Sequence, residues 1–268
     1  GWVSAVWFAL SFPDLPKVVS VICTVIIGLV AGGIAGAIPG ILRAYLGTSE
    51  VIVTIMMNYI ILYVANNIIR FGFTADMLRS SEASNKVVAS ASYQTEFLSQ
   101  ITGGSRFNIG FFLALAAAFL VWFLLKKTTT GFEITSVGLN PHASEYAGMS
   151  SKRVIIMSMI ISGALCGLGG TVEGLGTFQN VFVQNASLAI GWNGMAVALL
   201  ASNSPIGIPF AALLYGVLSI GKSGMIGVPS EIIDVVSALI IFFVGANYII
   251  RYWVRPRHKS VKAKGGQN

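Results

Sequence analysis

Charge is what this chain has least of. Asp, Glu, Lys and Arg make up 10% of its 268 residues, against ~25% in ordinary soluble domains. That shortage excludes a fold whose whole surface faces water. Histidine is equally thin. His142 and His258 both fall outside the apolar runs, so an intramembrane hydrolase, which wants a Ser with a His at membrane depth, has no base to use. Cysteine is limited to Cys23 and Cys166. Each lies inside an apolar run, where a thiol behaves as a small hydrophobe, so neither a disulfide nor a metal site is expected and the redox compartment is unreadable. An initiator Met and a charged flank before the apolar stretch Trp2 to Leu10 are also missing. The expectation is a fragment that lacks upstream helices.

Apolar sequence is abundant instead. Hydrophobic residues are 55% of the chain and the mean hydropathy is +0.79, values that belong to a polytopic membrane protein. A requirement of ~20 apolar residues per crossing predicts helices at 18–41, 51–70, 107–126, 153–175 and 231–252. The apolar region 187–221 is broken by Asn203, Ser204, Pro205, Gly207 and Pro209. It reads as two short crossings, 187–202 and 205–221, with a re-entrant pair of half-helices as the alternative. The predicted fold class is therefore all-α, a polytopic transmembrane helical bundle of about seven spans. Residues 1–252 form a membrane domain with a cytoplasmic loop at 127–153, and 253–268 form a basic cytoplasmic tail.

Basic residues set the orientation. Placing the 127–153 loop in the cytoplasm gathers 11 of the 17 Lys and Arg residues on that side, among them Arg43, Lys126, Lys127, Lys152, Arg153 and the cluster Arg251 to Lys264. The net charge of +7 is then mostly topology. The tail needs only positive-inside retention and anionic lipid headgroups to explain it, and no nucleic acid. The segment 71–106 falls on the other side, either as a docking surface or as mere covering.

Between two apolar runs lies a polar island, Gly131 to Gly148, reading GFEITSVGLNPHASEYAG. Asn140 suits a helix N-cap, Pro141 the first helical position and Gly148 the position just past the end, so 141–147 is predicted as a two-turn helix about 10 Å long. A separately capped surface helix points to something that docks on it, although an ordinary capped loop carries the same local signals.

Glycines at 28, 32, 36 and 40 repeat along one helix face, as do Gly163 with Gly167 and Gly170 with Gly174. Small faces let backbones approach closely in lipid, which places these two helices deep in the bundle. Polar residues inside apolar helices are candidates for solute contact, because hydrocarbon leaves their hydrogen bonds unmet. Asn58, Glu173, Asn193, Asp234 and Asn247 stand out, with Trp192 and Phe178 as stacking faces. For each, an interhelical hydrogen bond or an interfacial position is the competing explanation. Gly216 to Ser223, GVLSIGKS, satisfies the P-loop pattern, but a P-loop needs a strand before it and a helix opening at Lys-Ser. Here an apolar helical run precedes it, which argues against nucleotide binding.

The island pattern G-F-E-I-x-S-V-G-x-N-P-x-A-x-E-Y-A-G, followed by an apolar helix, resembles the cytoplasmic loop of ABC-importer permeases of the branched-chain amino acid, ribose and nucleoside group. SEVIVTIMMNYI at 49–60, SGALCGLGGTVEGLG at 162–176 and GWNGMAVALLASNSPIGIPFAALLYG at 191–216 look most like the nucleoside permeases that work with basic-membrane-protein receptors. Ala201 stands where relatives usually have glycine. The resemblance implies a bacterial plasma-membrane permease subunit that is not itself an enzyme. It implies a second permease subunit, ATPase subunits that hold the ATP while this chain binds no cofactor, an extracellular substrate-binding lipoprotein and surrounding lipid. Gly131, Gly138, Asn140, Pro141, Glu145 and Gly148 would carry the ATPase coupling, and Asn58, Glu173, Trp192 and Asn193 would line the solute pathway. An ion-coupled secondary transporter is the alternative, kept open by Glu173 and Asp234.

Overall fold

The computed structural model describes residues 1–95, 98, 100, 103–105, 107–186 and 189–224, and singly 232, 235, 238, 239 and 242. Two compact units divide the chain, Gly1–Leu188 and Ala189–Asn268.

In the first unit, α1 (Trp2–Ser11) leads into α2 (Lys17–Leu46), a 30-residue helix with Pro39 in its interior. Gly47, at φ 63°, ends α2 in the left-handed conformation that glycine adopts without steric cost. The Arg43 guanidinium donates to the Thr48 carbonyl at 2.9 Å and pairs with Glu50 at 3.3 Å, which ties the end of α2 to the start of α3 (Glu50–Asn67). Next come α4 (Gly110–Lys127), α5 (Thr129–Leu139), α6 (Pro141–Tyr146) and α7 (Ser151–Val172). Both α3 and α7 run on into a π-helical turn, Ile68–Gly72 and Glu173–Phe178. With those turns included, four helices among the described residues are long and apolar enough to cross a membrane: Lys17–Leu46, Glu50–Gly72, Gly110–Lys127 and Ser151–Phe178. They match the first four predicted spans to within a few residues.

The segment after α3 is a folded cap and not the open polar loop that its composition suggests. Its strands β1 (Leu78–Ser80) and β2 (Ala83–Ser84) pair antiparallel in a short ribbon, and Ala83 bridges to Phe182. Tyr93, 0% exposed, sits with Ala5, Val6, Ile69, Phe73, Val87, Leu175 and Val181 in the main apolar core. Backbone bonds sew the cap to the chain after α7: Ser84 N–H to Val181 O, Val87 N–H to Gln179 O and Tyr93 N–H to Leu175 O, at 2.7–3.1 Å. Asn66 and Gln184 exchange two further bonds, at 2.7 and 3.0 Å. Burial pushes the Tyr93 phenol up to about 12, partly offset by its hydrogen bond with the Thr24 hydroxyl at 2.9 Å. The cap gathers at the start of α2 and the end of α7. The α5–α6 element meets α7 near its other end, and a helix of 22 residues separates the two by about 33 Å.

The second unit contains α8 (Ile190–Leu200) and α9 (Gly207–Gly224). The end of α8 is a Schellman motif. Asn203 N–H bonds Ala198 O at 2.8 Å and Ser202 N–H bonds Leu199 O at 2.9 Å, with Ser202 at φ 51° in the position that usually holds glycine. At 11 residues, α8 is about 16 Å long, half of a ~30 Å hydrocarbon core. The sequence predicts two short crossings here; α8 has instead the length of a half-helix, while α9 with 18 residues approaches a full one. The predicted helix 231–252, with Asp234 and Asn247, lies almost wholly outside the described residues, and the 253–268 tail entirely so.

Candidate functional site

The close approach of α2 to α7 starts from glycine. A Cβ on Gly28 would overlap the Thr171 hydroxyl, one on Gly32 the Gly163 carbonyl, and one on Gly36 the Met159 carbonyl; reciprocally, Gly163 faces Gly32 and Gly167 faces Gly28. Backbone therefore touches backbone along the seam, where dispersion contacts substitute for the hydrophobic drive that lipid removes. The second glycine pair serves another neighbour. Gly170 and Gly174 both face Trp2, whose indole stacks on Phe178 at 5.3 Å and donates to the Asn180 carbonyl at 2.9 Å.

Beside this seam a cavity of about 320 Å3 opens between α2, α3 and α7. Its walls include Gly32, Ala35 and Pro39 of α2, Thr54, Met57 and Asn58 of α3, and Gly163 and Cys166 of α7. That volume lies at the small end of ligand pockets, ~300–1,000 Å3. Pro39 has no N–H, so the helical bond to the carbonyl four residues back cannot form. That carbonyl belongs to Ala35, which also lines the cavity, so the proline leaves a residue of the wall without its helical hydrogen bond. Of the residues on this wall the sequence singles out Asn58 and not Thr54 or Ala35; for Ala35 a proline inside an apolar run is the available signal.

Of the other predicted pathway residues, Glu173 is half-buried in the π turn after α7 and accepts from the Thr177 hydroxyl at 3.3 Å. It is not among the residues that line the cavity. Trp192, exposed, and Asn193, half-buried, belong to α8 in the second unit. The P-loop look-alike, Gly216 to Ser223, is continuous helix inside α9, so its amides are committed to the helix and cannot cradle phosphate.

The polar island is more ordered than its composition suggests. Thr128 caps α5, accepting from Gly131 N–H at 3.1 Å while its hydroxyl donates to the Leu124 carbonyl at 2.6 Å. Gly131 is buried in the corner, where a Cβ would overlap that same carbonyl. Asn140 caps α6 through its side-chain oxygen, 3.1 Å from Ala143 N. Gly148, at φ 85°, closes α6 with the paired bonds Gly148 N–H to Glu145 O and Met149 N–H to Ser144 O, at 2.9 and 3.0 Å, again a Schellman motif. The predicted helix 141–147 is observed as Pro141–Tyr146, and Ser151 pins it to α7 by a bond to the Pro141 carbonyl at 3.2 Å. Helix α5 was not foreseen, because Thr, Gly and Ser in its sequence read as loop. Gly138 has open space around it, and Glu145 is exposed. The element also displays apolar side chains, with Leu139 84% and Tyr146 94% exposed.

A family model described as the branched-chain amino acid transport system / permease component matches residues 2–245. Nucleoside ABC transporter permease protein NupB of Lactococcus lactis is 51% identical over 267 residues, which cover 98% of this chain and 73% of that protein. Guanosine ABC transporter permease protein NupP of Bacillus subtilis is 47% identical over 255 residues, 94% of this chain and 72% of that protein. A second Bacillus subtilis protein, guanosine ABC transporter permease protein NupQ, is 36% identical over 104 residues, 39% of this chain and 32% of that protein. No solved structure matches.

Proposed function

The chain belongs to the family of branched-chain amino acid transport system permease components, and on that premise we propose that it is the membrane-spanning subunit of an ATP-driven importer of nucleosides. As a permease component it is a multi-pass transport subunit and not an enzyme. ATP is spent on partner ATPase subunits. The nucleoside reading is supported by similarity along nearly the whole chain to permeases whose names specify nucleoside and guanosine.

The observation that carries the mechanism is the doubly capped helix α6, held by Asn140 and Gly148 and presenting Tyr146 outward, with Leu139 exposed at the end of α5 just before it. An ATPase subunit seats on α5 and α6. Gly131 lets α5 fold back sharply against the end of α4, Gly138 keeps its exposed face low, and Glu145 offers a charge at the rim. Because Ser151 ties α6 to α7, a push on α6 moves α7, and the glycine seam passes that motion to α2. The cavity lined by Asn58, Thr54 and Ala35 lies beside the seam and changes shape with it. Glu173, Trp192 and Asn193 stand elsewhere along the solute's route. The second permease subunit is non-identical, a reading supported by two different matching permeases in Bacillus subtilis. A substrate-binding lipoprotein delivers solute on the cap side, and the basic tail and the 127–153 segment face the bacterial cytoplasm.

The test is a competition panel on the reconstituted system with its ATPase and receptor. Purine and pyrimidine nucleosides should suppress ATP-dependent uptake of a labelled nucleoside, while ribose and branched-chain amino acids should not. Competition by amino acids alone would remove the nucleoside assignment.

A further inference from the structure

We propose that the cap carries a second binding site, a pocket of about 510 Å3 between the start of α2 and residues 87–95, which takes an oxyanion, either a carboxylate or a phosphate. The reasoning is an inventory of hydrogen-bond donors. Lys17, Ser92, Gln94, Thr95 and Gln179 line the pocket. The Lys17 ammonium gives one of its three N–H groups to the Gln94 carbonyl at 2.7 Å, which fixes the charge at the wall and leaves two donors. The Ser92 hydroxyl, in a residue 4% exposed, accepts from Gln94 N–H at 3.1 Å and from the Gln179 amide at 2.9 Å. Both its lone pairs are then occupied, and its own proton must be donated elsewhere. The Thr95 hydroxyl oxygen is buried with no hydrogen-bond partner. The Gln179 amide keeps a second N–H.

A buried hydroxyl without a partner costs roughly 1–3 kcal/mol, a cost that a bond from Thr95 to a bound oxyanion would remove. Among the described residues no carboxylate lines the pocket, and its lining carries one positive charge, that of Lys17. Charge-assisted bonds from such a set favour an anionic oxygen over a neutral carbonyl. The pocket is larger than a single small ion requires, so the oxyanion has room to be carried on a larger molecule. Val18, exposed beside Lys17 at the start of α2, would allow that molecule to be a lipid whose headgroup phosphate enters the pocket. A free phosphate or carboxylate presents the same chemistry.

The experiment uses this chain with its partner subunits in a maltoside detergent free of phosphate and follows acylation of Lys17 by an amine-reactive reagent, read by peptide mass spectrometry. Inorganic phosphate, with chloride replacing it at equal ionic strength as the control, should slow Lys17 labelling several-fold. Thr95→Val removes only a hydroxyl that has no partner in the protein. It should leave the fold intact and weaken the phosphate effect about tenfold, as expected for one bond to a charged group. Lys17→Met should abolish the thermal shift that phosphate gives the wild type, a second readout that is independent of labelling. Protection that appears in phosphatidylglycerol nanodiscs without added phosphate, and is lost in Thr95→Val, would identify the headgroup as the source. The proposal is overturned if neither phosphate nor phosphatidylglycerol protects Lys17, if chloride protects equally, or if Thr95→Val responds to phosphate as the wild type does.

Discussion

Gly32 and Gly33 are neighbours in α2, yet alanine at the two positions should behave very differently. A Cβ at Gly32 would overlap the Gly163 carbonyl and stand 2.7 Å from Gly167 Cα and 2.8 Å from its nitrogen. All three are backbone atoms, so no side chain can rotate away, and ordinary contact requires α2 and α7 to part by about 1 Å. A Cβ at Gly33 would rest 3.6–3.8 Å from Ile160 and Ala164, which is normal packing. Overfilling a well-packed contact costs typically 1–3 kcal/mol, and the seam's rigidity puts Gly32→Ala toward the upper part of that range. Gly33→Ala should be near neutral, because any gain in helix propensity is small beside a helix already held by its neighbours. For a chain of this size each 1 kcal/mol moves the unfolding midpoint by roughly 2–4 °C, so Gly32→Ala should melt about 4–10 °C lower. Thermal unfolding of the two variants in one detergent, followed by loss of the monodisperse size-exclusion peak, makes the comparison. Equal midpoints, or a larger loss for Gly33→Ala, would refute the backbone-contact account of the seam.

Gly148→Ala places a Cβ at φ 85° in otherwise open space, so its cost is conformational, about 1–2 kcal/mol, and local to α6. Uptake per ATP hydrolysed should fall several-fold while the thermal midpoint of the whole chain scarcely moves. Tyr93 should ionise only near pH 12, against about 10 in the unfolded chain. The folded state holds the proton more tightly, so this contribution to stability is complete below pH 10 and fades as pH rises toward 12, amounting to about 2–3 kcal/mol. Ultraviolet titration of wild type against Tyr93→Phe should show one late tyrosinate, and the variant should lose less stability across that window. Asn66→Ala breaks two bonds that join the end of α3 to Gln184; at ~1 kcal/mol each, amide exchange at Gln184 should speed by one to two orders of magnitude while exchange in α7 stays as it was.

Some of this architecture was readable from residue order alone, and the reasons differ by region. The first four crossings follow from hydropathy, because lipid allows only helix over twenty apolar residues. Helix α6 was legible because Asn140, Pro141 and Gly148 each have a local conformational preference that no neighbour overrides. Gly28, Gly32, Gly163 and Gly167 announced close packing and delivered it, but nothing local told that Gly170 and Gly174 would serve Trp2. The cap was illegible because its order comes from long-range bonds, such as Tyr93 to Leu175 and Ser84 to Val181, which leave no period in the sequence. Helix α5 was hidden for a related reason. Its Thr and Gly residues favour loops in isolation, and the cap from Thr128 together with packing at Gly131 reverses that preference. Asn58 reached a cavity wall and Glu173 did not, a distinction that requires the helix faces and not merely the presence of a polar residue in an apolar run.

The most direct measurement of the central claim is a photo-crosslinker in place of Tyr146, introduced into the intact transporter in its membrane. Irradiation should join this chain to an ATPase subunit, with a yield that changes between the nucleotide-free and ATP-bound states. Crosslinks to the external receptor, or to lipid alone in both states, would contradict the role of α6 as the point where the ATPase drives the permease.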